Sequence, residues 1–231
     1  ISHGQFGTIY ASATLLGSLI LIWVGKKIDD MDVFKFSIFV IILLSIACYF
    51  FSTIKIIPLL FIGIFLLRLS GQGLMSHTAS TTVSRYFEKT RGKALSVSWL
   101  GLSAAEFVLP ILIVSLLTII SWRHIWISIS ILVLIFLPLT SFFLIKKLKL
   151  DSRENSTEDL VSENINIKQW SRSEVLKDYR FYIISLNMLS LPSIATGVFV
   201  YQSFILTSKN WGPYIMAQSF MAYSVLSVIT L

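Results

Sequence analysis

Residues 56–122 read IIPLLFIGIFLLRLSGQGLMSHTASTTVSRYFEKTRGKALSVSWLGLSAAEFVLPILIVSLLTIISW. Two apolar runs lie back to back across a short basic turn, Arg85-Tyr-Phe-Glu-Lys-Thr-Arg-Gly-Lys93. Residues 56–84 carry one charge, Arg68, and residues 94–122 carry one charge, Glu106. Each run exceeds the roughly 20 residues that an α-helix needs to cross the hydrocarbon core of a bilayer. The midpoints of the runs fall near residues 70 and 108, so both charges sit close to mid-membrane. If the helices are antiparallel neighbours, the charges are offset by about 6 Å along the membrane normal, which Arg and Glu side chains span directly or through water. Charge at that depth is costly and usually marks a substrate or ion pathway. The competing account is a structural ion pair that shares one burial cost.

The rest of the chain has the same character. Of 231 residues, 55% are hydrophobic and only 13% charged, with a mean hydropathy of +0.79. A soluble domain has about a quarter of its residues charged. The fold class is therefore all-α, a polytopic α-helical membrane protein. Seven spans are expected, at 6–24, 35–53, 57–83, 94–120, 125–145, 181–207 and 214–231, the last one truncated. The chain begins with Ile1 and stops at Leu231 inside an apolar run, so it reads as a fragment of a longer polypeptide. The single cysteine, Cys48, allows no internal disulfide and suits a small buried hydrophobe.

Orientation follows from Lys and Arg in the connections. Segments 25–35, 85–93 and 146–180 carry three, four and eight of them, whereas the alternate connections carry one each, at Lys55, Arg123 and Lys209. The positive-inside rule makes the first set cytoplasmic and leaves Ile1 outside. This asymmetry accounts for the net charge of +7 without a nucleic-acid partner. The expected location is the plasma membrane, a bacterial inner membrane, crossed several times. Trp23, Trp122, Trp126 and Trp211 fall at span ends, as in an interfacial aromatic belt. Asp151 to Asn166 is polar and aperiodic and reads as a linker. Ile167 to Leu176 mixes Trp170 with Lys168 and Arg172, and suits either a membrane-surface segment or a plain basic one. The expected organisation is a first transmembrane bundle over 1–150, a cytoplasmic linker over 151–180 and the start of a second bundle over 181–231.

Several of these residues stand in a familiar order. Gly25-Lys-Lys-Ile-Asp29 resembles the cytoplasmic signature of the major facilitator superfamily, although Asp30 stands where Arg is usual and Asp32 where Gly is usual. Arg68-Leu-Ser-Gly71-Gln-Gly73, then Arg85-Tyr-Phe87, Arg91-Gly-Lys-Ala94 and Gly101-Leu-Ser-Ala-Ala-Glu106 resemble the fourth and fifth helices of that superfamily's monocarboxylate and oxalate/formate-like branch. The resemblance implies a partial helical bundle of that superfamily, helices two to eight of twelve. It also implies a secondary active transporter, not an enzyme, working by alternating access, with Gly25, Asp29, Arg85 and Arg91 as a cytoplasmic gating motif. The fifth-helix antiporter signature is absent from the sequence.

Chemistry narrows the expectation further. An arginine fork grips a carboxylate at two points and keeps its charge in any environment. A glutamate in a cavity that alternates sides can exchange a proton. The expected partners are thus a small organic anion held by Arg68, protons carried by Glu106, and the lipid bilayer, with no cofactor and no metal. At 100° per residue, Gln72, Met75, Ala79 and Thr82 share the face of Arg68, and Trp99 and Ser103 lie near that of Glu106. Asn187, Tyr201 and Gln202 give the sixth span an unusual polarity around Pro192, suited to lining a cavity or to helix packing. His77 falls opposite Arg68 and suits a packed, hydrogen-bonded role. Gly101 with Ala105 and Ala13 with Gly17 are small-residue pairs that let helices approach closely. Two rival readings remain: a proton-driven exporter of amphipathic or cationic compounds, and, more remotely, an intramembrane hydrolase using Ser103 and His77.

Overall fold

The structure, a computed structural model, describes residues 2–87, 89–147 and 171–230. The described residues are helical nearly throughout. Helix α1 (His3–Val24) starts at a capping box in which the Ser2 hydroxyl accepts from the Gln5 amide and Gln5 accepts from that of Ser2. After Gly25 and a single turn, α2 (Lys27–Asp30), the Asp32 carboxylate caps α3 (Val33–Ser52) by accepting from the Lys35 amide. Pro58 lies in the first turn of α4 (Ile57–Leu67), where its missing amide costs nothing. A π-helical segment (Arg68–Met75) follows directly, then α5 (Ser76–Tyr86). Next come α6 (Arg91–Leu117), with Pro110 inside it, and α7 (Trp122–Ser141), with Pro138.

Six described helices are long and apolar enough to cross a membrane, and they match the first six expected spans. The chain is a multi-pass membrane protein. The seventh expected span folds as α10 (Pro213–Thr230), less apolar because Gln218, Ser219, Ser224 and Ser227 interrupt it.

By compactness the chain divides into Ile1–Asp151 with Gly212–Leu231, and Ser152–Trp211. The core of the first unit is the cluster of Ile28, Phe36, Val40, Leu69 and Leu74, which joins α2, α3 and the π segment. Ala13 is fully buried and a methyl group on Gly17 would come within 3.6 Å of the Leu69 backbone nitrogen. This small pair therefore brings α1 against the π segment, as its spacing suggests. Gly63 lets α4 approach α3 more closely still: a methyl there would meet the Ile54 and Phe51 side chains at 2.5 and 2.9 Å. Helices α3 and α7 pack extensively and exchange hydrogen bonds at their seam. The Ser45 hydroxyl donates to the Ser130 carbonyl (3.0 Å) and the Ser130 hydroxyl to the Ser45 carbonyl (2.8 Å). At one end of this seam Arg123 donates to the Ile54 carbonyl at 3.1 Å, while Trp122 and Trp126 pack on Phe51. Helix α10 packs along α6. The other small pair does not act as expected: around Gly101 no described atom lies within 4 Å of where a methyl group would stand.

In the second unit, α8 (Arg172–Lys177) opens on a capping box between Ser171 and Glu174. Asp178 caps α9 (Tyr179–Lys209), which contains Pro192 and ends at Asn210 in the left-handed conformation. The expected linker Asp151 to Asn166, with Lys168 and Trp170, lies outside the described residues.

Candidate functional site

Arg68 opens the π segment. Two glycines, Gly71 and Gly73, lie in that segment, and the Ser70 hydroxyl donates back to the Leu66 carbonyl at 2.7 Å. Wide turns of this kind inside α-helices are frequent at functional sites. The half-buried Arg68 side chain reaches α1, where its Nε donates to the Thr14 hydroxyl at 3.1 Å. Its guanidinium carbon stands 5.1 Å from the centroid of the Tyr10 ring. Tyr10 and Thr14 are one helical turn apart, so one face of α1 supplies both contacts. Both partners are neutral. Among the described residues, the two terminal guanidinium nitrogens of Arg68 have no partner.

A cavity of about 220 Å³ opens beside this group, lined by Thr14, Gly17, Ser18, Arg68 and Gln72 among others. The structure thus brings Arg68 and Gln72 together. Met75 instead turns to the apolar cluster, and Gly73 lines the cavity. The 100° step that groups Met75 with Arg68 fails through the wider π turn. Tyr10 and Thr14 do not stand out in the sequence reading. Their only signal there is an aromatic and a hydroxyl one turn apart beside the Ala13–Gly17 pair.

The other expected site residues lie apart from this cavity. Glu106 is half-buried on α6 and has no hydrogen bond or ion pair among the described residues. Its helix packs mainly on α10 and α5, whereas the π segment packs on α1 and α3. Arg68 and Glu106 form no ion pair here, whereas Arg85 pairs with Asp29. Trp99 is half exposed on α6. Ser103 is buried where α6 meets α10, its hydroxyl 3.3 Å from that of Ser227. Asn187 donates back to the Ile183 carbonyl of its own helix, and Tyr201 and Gln202 lie farther along α9. His77 donates to the Gly25 carbonyl at 3.2 Å, in the hydrogen-bonded role expected of it. Ser103 and His77 are therefore engaged with other partners, not with each other.

At the basic end of the helices the expected motif residues meet. Gly25 closes α1, and Arg85 on α5 donates to the Asp29 carboxylate at 2.5 Å and to the Ile28 carbonyl at 3.4 Å. Arg91, which begins α6, donates its Nε to the Ser84 carbonyl at 3.3 Å. These bonds tie α2, α5 and α6 together at one end of the spans.

A family model, Major Facilitator Superfamily, matches residues 1–231. No curated protein and no solved structure matches the chain.

Proposed function

Because the chain belongs to the major facilitator superfamily of secondary transporters, we propose that it carries a small organic anion with proton coupling, in the manner of the monocarboxylate and oxalate/formate-like branch. The observation that carries this reading is Arg68: a cation near mid-membrane, held by a hydroxyl and a ring, with its fork open beside a cavity of about 220 Å³. A cation at this depth needs an anion to offset its desolvation, and no carboxylate pairs with it among the described residues. The cavity is below the range typical of drug-sized ligands, which favours a compact carboxylate.

In this reading Arg68 and Gln72 hold the substrate, with Tyr10 and Thr14 fixing the guanidinium. Glu106, polar and unpaired on a neighbouring span, carries the proton. Trp99, Ser103, Asn187, Tyr201 and Gln202 complete the pathway in other states of the cycle. Gly25, Asp29, Arg85 and Arg91 form the cytoplasmic gate, which the Arg85–Asp29 bond holds shut until the cycle breaks it. The same reading assigns 1–150 to one bundle in the plasma membrane, 151–180 to a linker and 181–231 to the start of a second bundle, whose residues from Gly212 on group by compactness with the first.

The decisive experiment is uptake by the intact protein in proteoliposomes, with a panel of small mono- and dicarboxylates and an imposed proton gradient. Arg68→Lys keeps the charge but loses the two-point fork, so binding of the preferred carboxylate should fall at least about tenfold. Wild-type affinity in Arg68→Lys refutes the assignment. A second reading, export of amphipathic or cationic compounds, draws on an apolar cavity of about 330 Å³ between α6 and α10, lined by Leu100, Phe107 and Val228 among others. Proton-driven efflux of a lipophilic cation, lost in Glu106→Gln and retained in Arg68→Lys, selects that reading.

A further inference from the structure

The basic end of the helices holds a second group of polar side chains, Ser80, Thr81 and Ser84, to which the transport reading gives no role. Ser80, Thr81 and Ser84 lie within little more than one turn of α5, all half-buried. Hydroxyls in helices usually find a carbonyl of their own chain. Thr78 and Thr82, on the same helix, do so at 2.7 Å each. The hydroxyls of Ser80, Thr81 and Ser84 bond to nothing among the described residues. They line a cleft of about 290 Å³ together with Arg85 and Arg91.

The two arginines differ in what they have left to give. Arg85 has committed both terminal nitrogens, to Asp29 and to the Ile28 carbonyl. Arg91 has committed only Nε, to the Ser84 carbonyl, and its terminal nitrogens have no partner among the described residues. The bridge to Asp29 neutralises Arg85, so the charge available to a ligand comes from Arg91. Three uncommitted hydroxyl donors and one open guanidinium fork thus converge on one cleft.

We propose that this cleft binds a phosphoryl group, presented by the headgroup of an anionic phospholipid or by free phosphate. A tetrahedral phosphoryl group offers oxygens in several directions and accepts from donors arriving on different sides, whereas a carboxylate offers two in one plane. A guanidinium fork meets two phosphoryl oxygens bidentately, and the hydroxyls meet the others. Basic pockets between membrane helices at the level of the headgroups take such ligands. A ligand here bridges α5 and the start of α6 and stands next to the Arg85–Asp29 bond, so its occupancy adds to whatever holds that end together. This inference is independent of the substrate assigned to Arg68.

The test uses the intact purified protein and follows thermal unfolding, which ligand binding shifts by mass action. In one arm, sodium phosphate is titrated in neutral detergent against sodium chloride at matched ionic strength. In the other, nanodiscs of phosphatidylcholine with graded phosphatidylglycerol are compared without phosphate. Stabilisation by phosphate beyond chloride identifies a soluble phosphate as the ligand; stabilisation by phosphatidylglycerol alone identifies the lipid. In either case Arg91→Gln should raise the apparent dissociation constant about tenfold, the loss of one charge-assisted hydrogen-bonding group. Lys93→Gln, which removes a neighbouring charge outside the cleft, should leave it within about twofold. Thr81→Val keeps the shape and every charge and should weaken binding severalfold, which decides the matter if Arg91→Gln does not fold. The proposal is overturned if neither ligand stabilises the protein beyond its control. It is equally overturned if Arg91→Gln and Lys93→Gln weaken binding alike.

Discussion

A guanidinium inside a membrane is stabilised by what it faces, and Arg68 faces a hydroxyl and an aromatic ring. Those partners orient the fork without neutralising it. A cation–π contact contributes about 0.5–2 kcal/mol and depends on the ring, not on the phenol oxygen. Tyr10→Phe should therefore leave substrate affinity within about twofold, while Tyr10→Leu should weaken it by about tenfold, read as substrate KM in proteoliposomes. Equal loss in both variants would show that the Tyr10 hydroxyl, not its ring, carries the effect. Glu106 makes the complementary case. Without an ion pair among the described residues, it is not needed to neutralise Arg68 in this state. Glu106→Gln should then fold, keep substrate exchange across the membrane, and lose accumulation driven by a proton gradient. The structural-pair account expects instead that each single mutant is unstable and that Arg68→Met with Glu106→Gln recovers both stability and transport.

At the scale of helices, close approach is decided by what stands opposite, which a spacing pattern does not record. Ala13–Gly17 and Gly101–Ala105 have the same small-residue spacing. The first meets the backbone at Leu69, whereas Gly101 faces open space among the described residues. Gly17→Leu should therefore destabilise the protein by about 2 kcal/mol or more through overpacking, and Gly101→Leu should not, when both are unfolded side by side in detergent. If the order is reversed, α6 and not α1 is the tightly packed helix. The Ser45–Ser130 exchange between α3 and α7 is a second fixed point. Each hydroxyl there satisfies a carbonyl of the opposite helix in a buried seam. Replacing both serines with alanine should cost about 1 kcal/mol, near what such interhelical bonds contribute in membranes. The spans themselves were legible in the sequence because a run of apolar side chains states directly which solvent it meets. The π segment was not. Widening a turn at Arg68–Met75 is a matter of local hydrogen-bond geometry, and two glycines permit it without announcing it. That one unseen change moved Met75 out of the Arg68 cavity and Gly73 into it. Tyr10 and Thr14 stayed hidden for a related reason: neutral residues in an apolar span do not attract attention until the charge they hold is placed beside them.

At the scale of the molecule, the distribution of charge makes the strongest claim. Fifteen Lys and Arg residues fall in alternate connections and three in the others, so one set of helix ends is basic and the other nearly neutral. The contacts found at the two ends are as different as that count. At the basic end Arg85 bonds Asp29 and Arg91 bonds the Ser84 carbonyl, joining α2, α5 and α6. At the other, Arg123 donates to the Ile54 carbonyl between Trp122, Trp126 and Phe51, an aromatic setting suited to the interface. If the basic ends face the cytoplasm, Ser156 in the basic-flanked connection and Ser208 at the exposed end of α9 lie on opposite sides of the membrane. Single cysteines at these two positions separate the possibilities in a Cys48→Ala background, which removes the one native thiol, itself only 2% exposed. An impermeant maleimide applied to intact cells should label the cysteine of Ser208→Cys and spare that of Ser156→Cys, and inverted vesicles should show the opposite pattern. Labelling of Ser156→Cys from outside would reverse the orientation, and with it the side on which the Arg85–Asp29 bond acts.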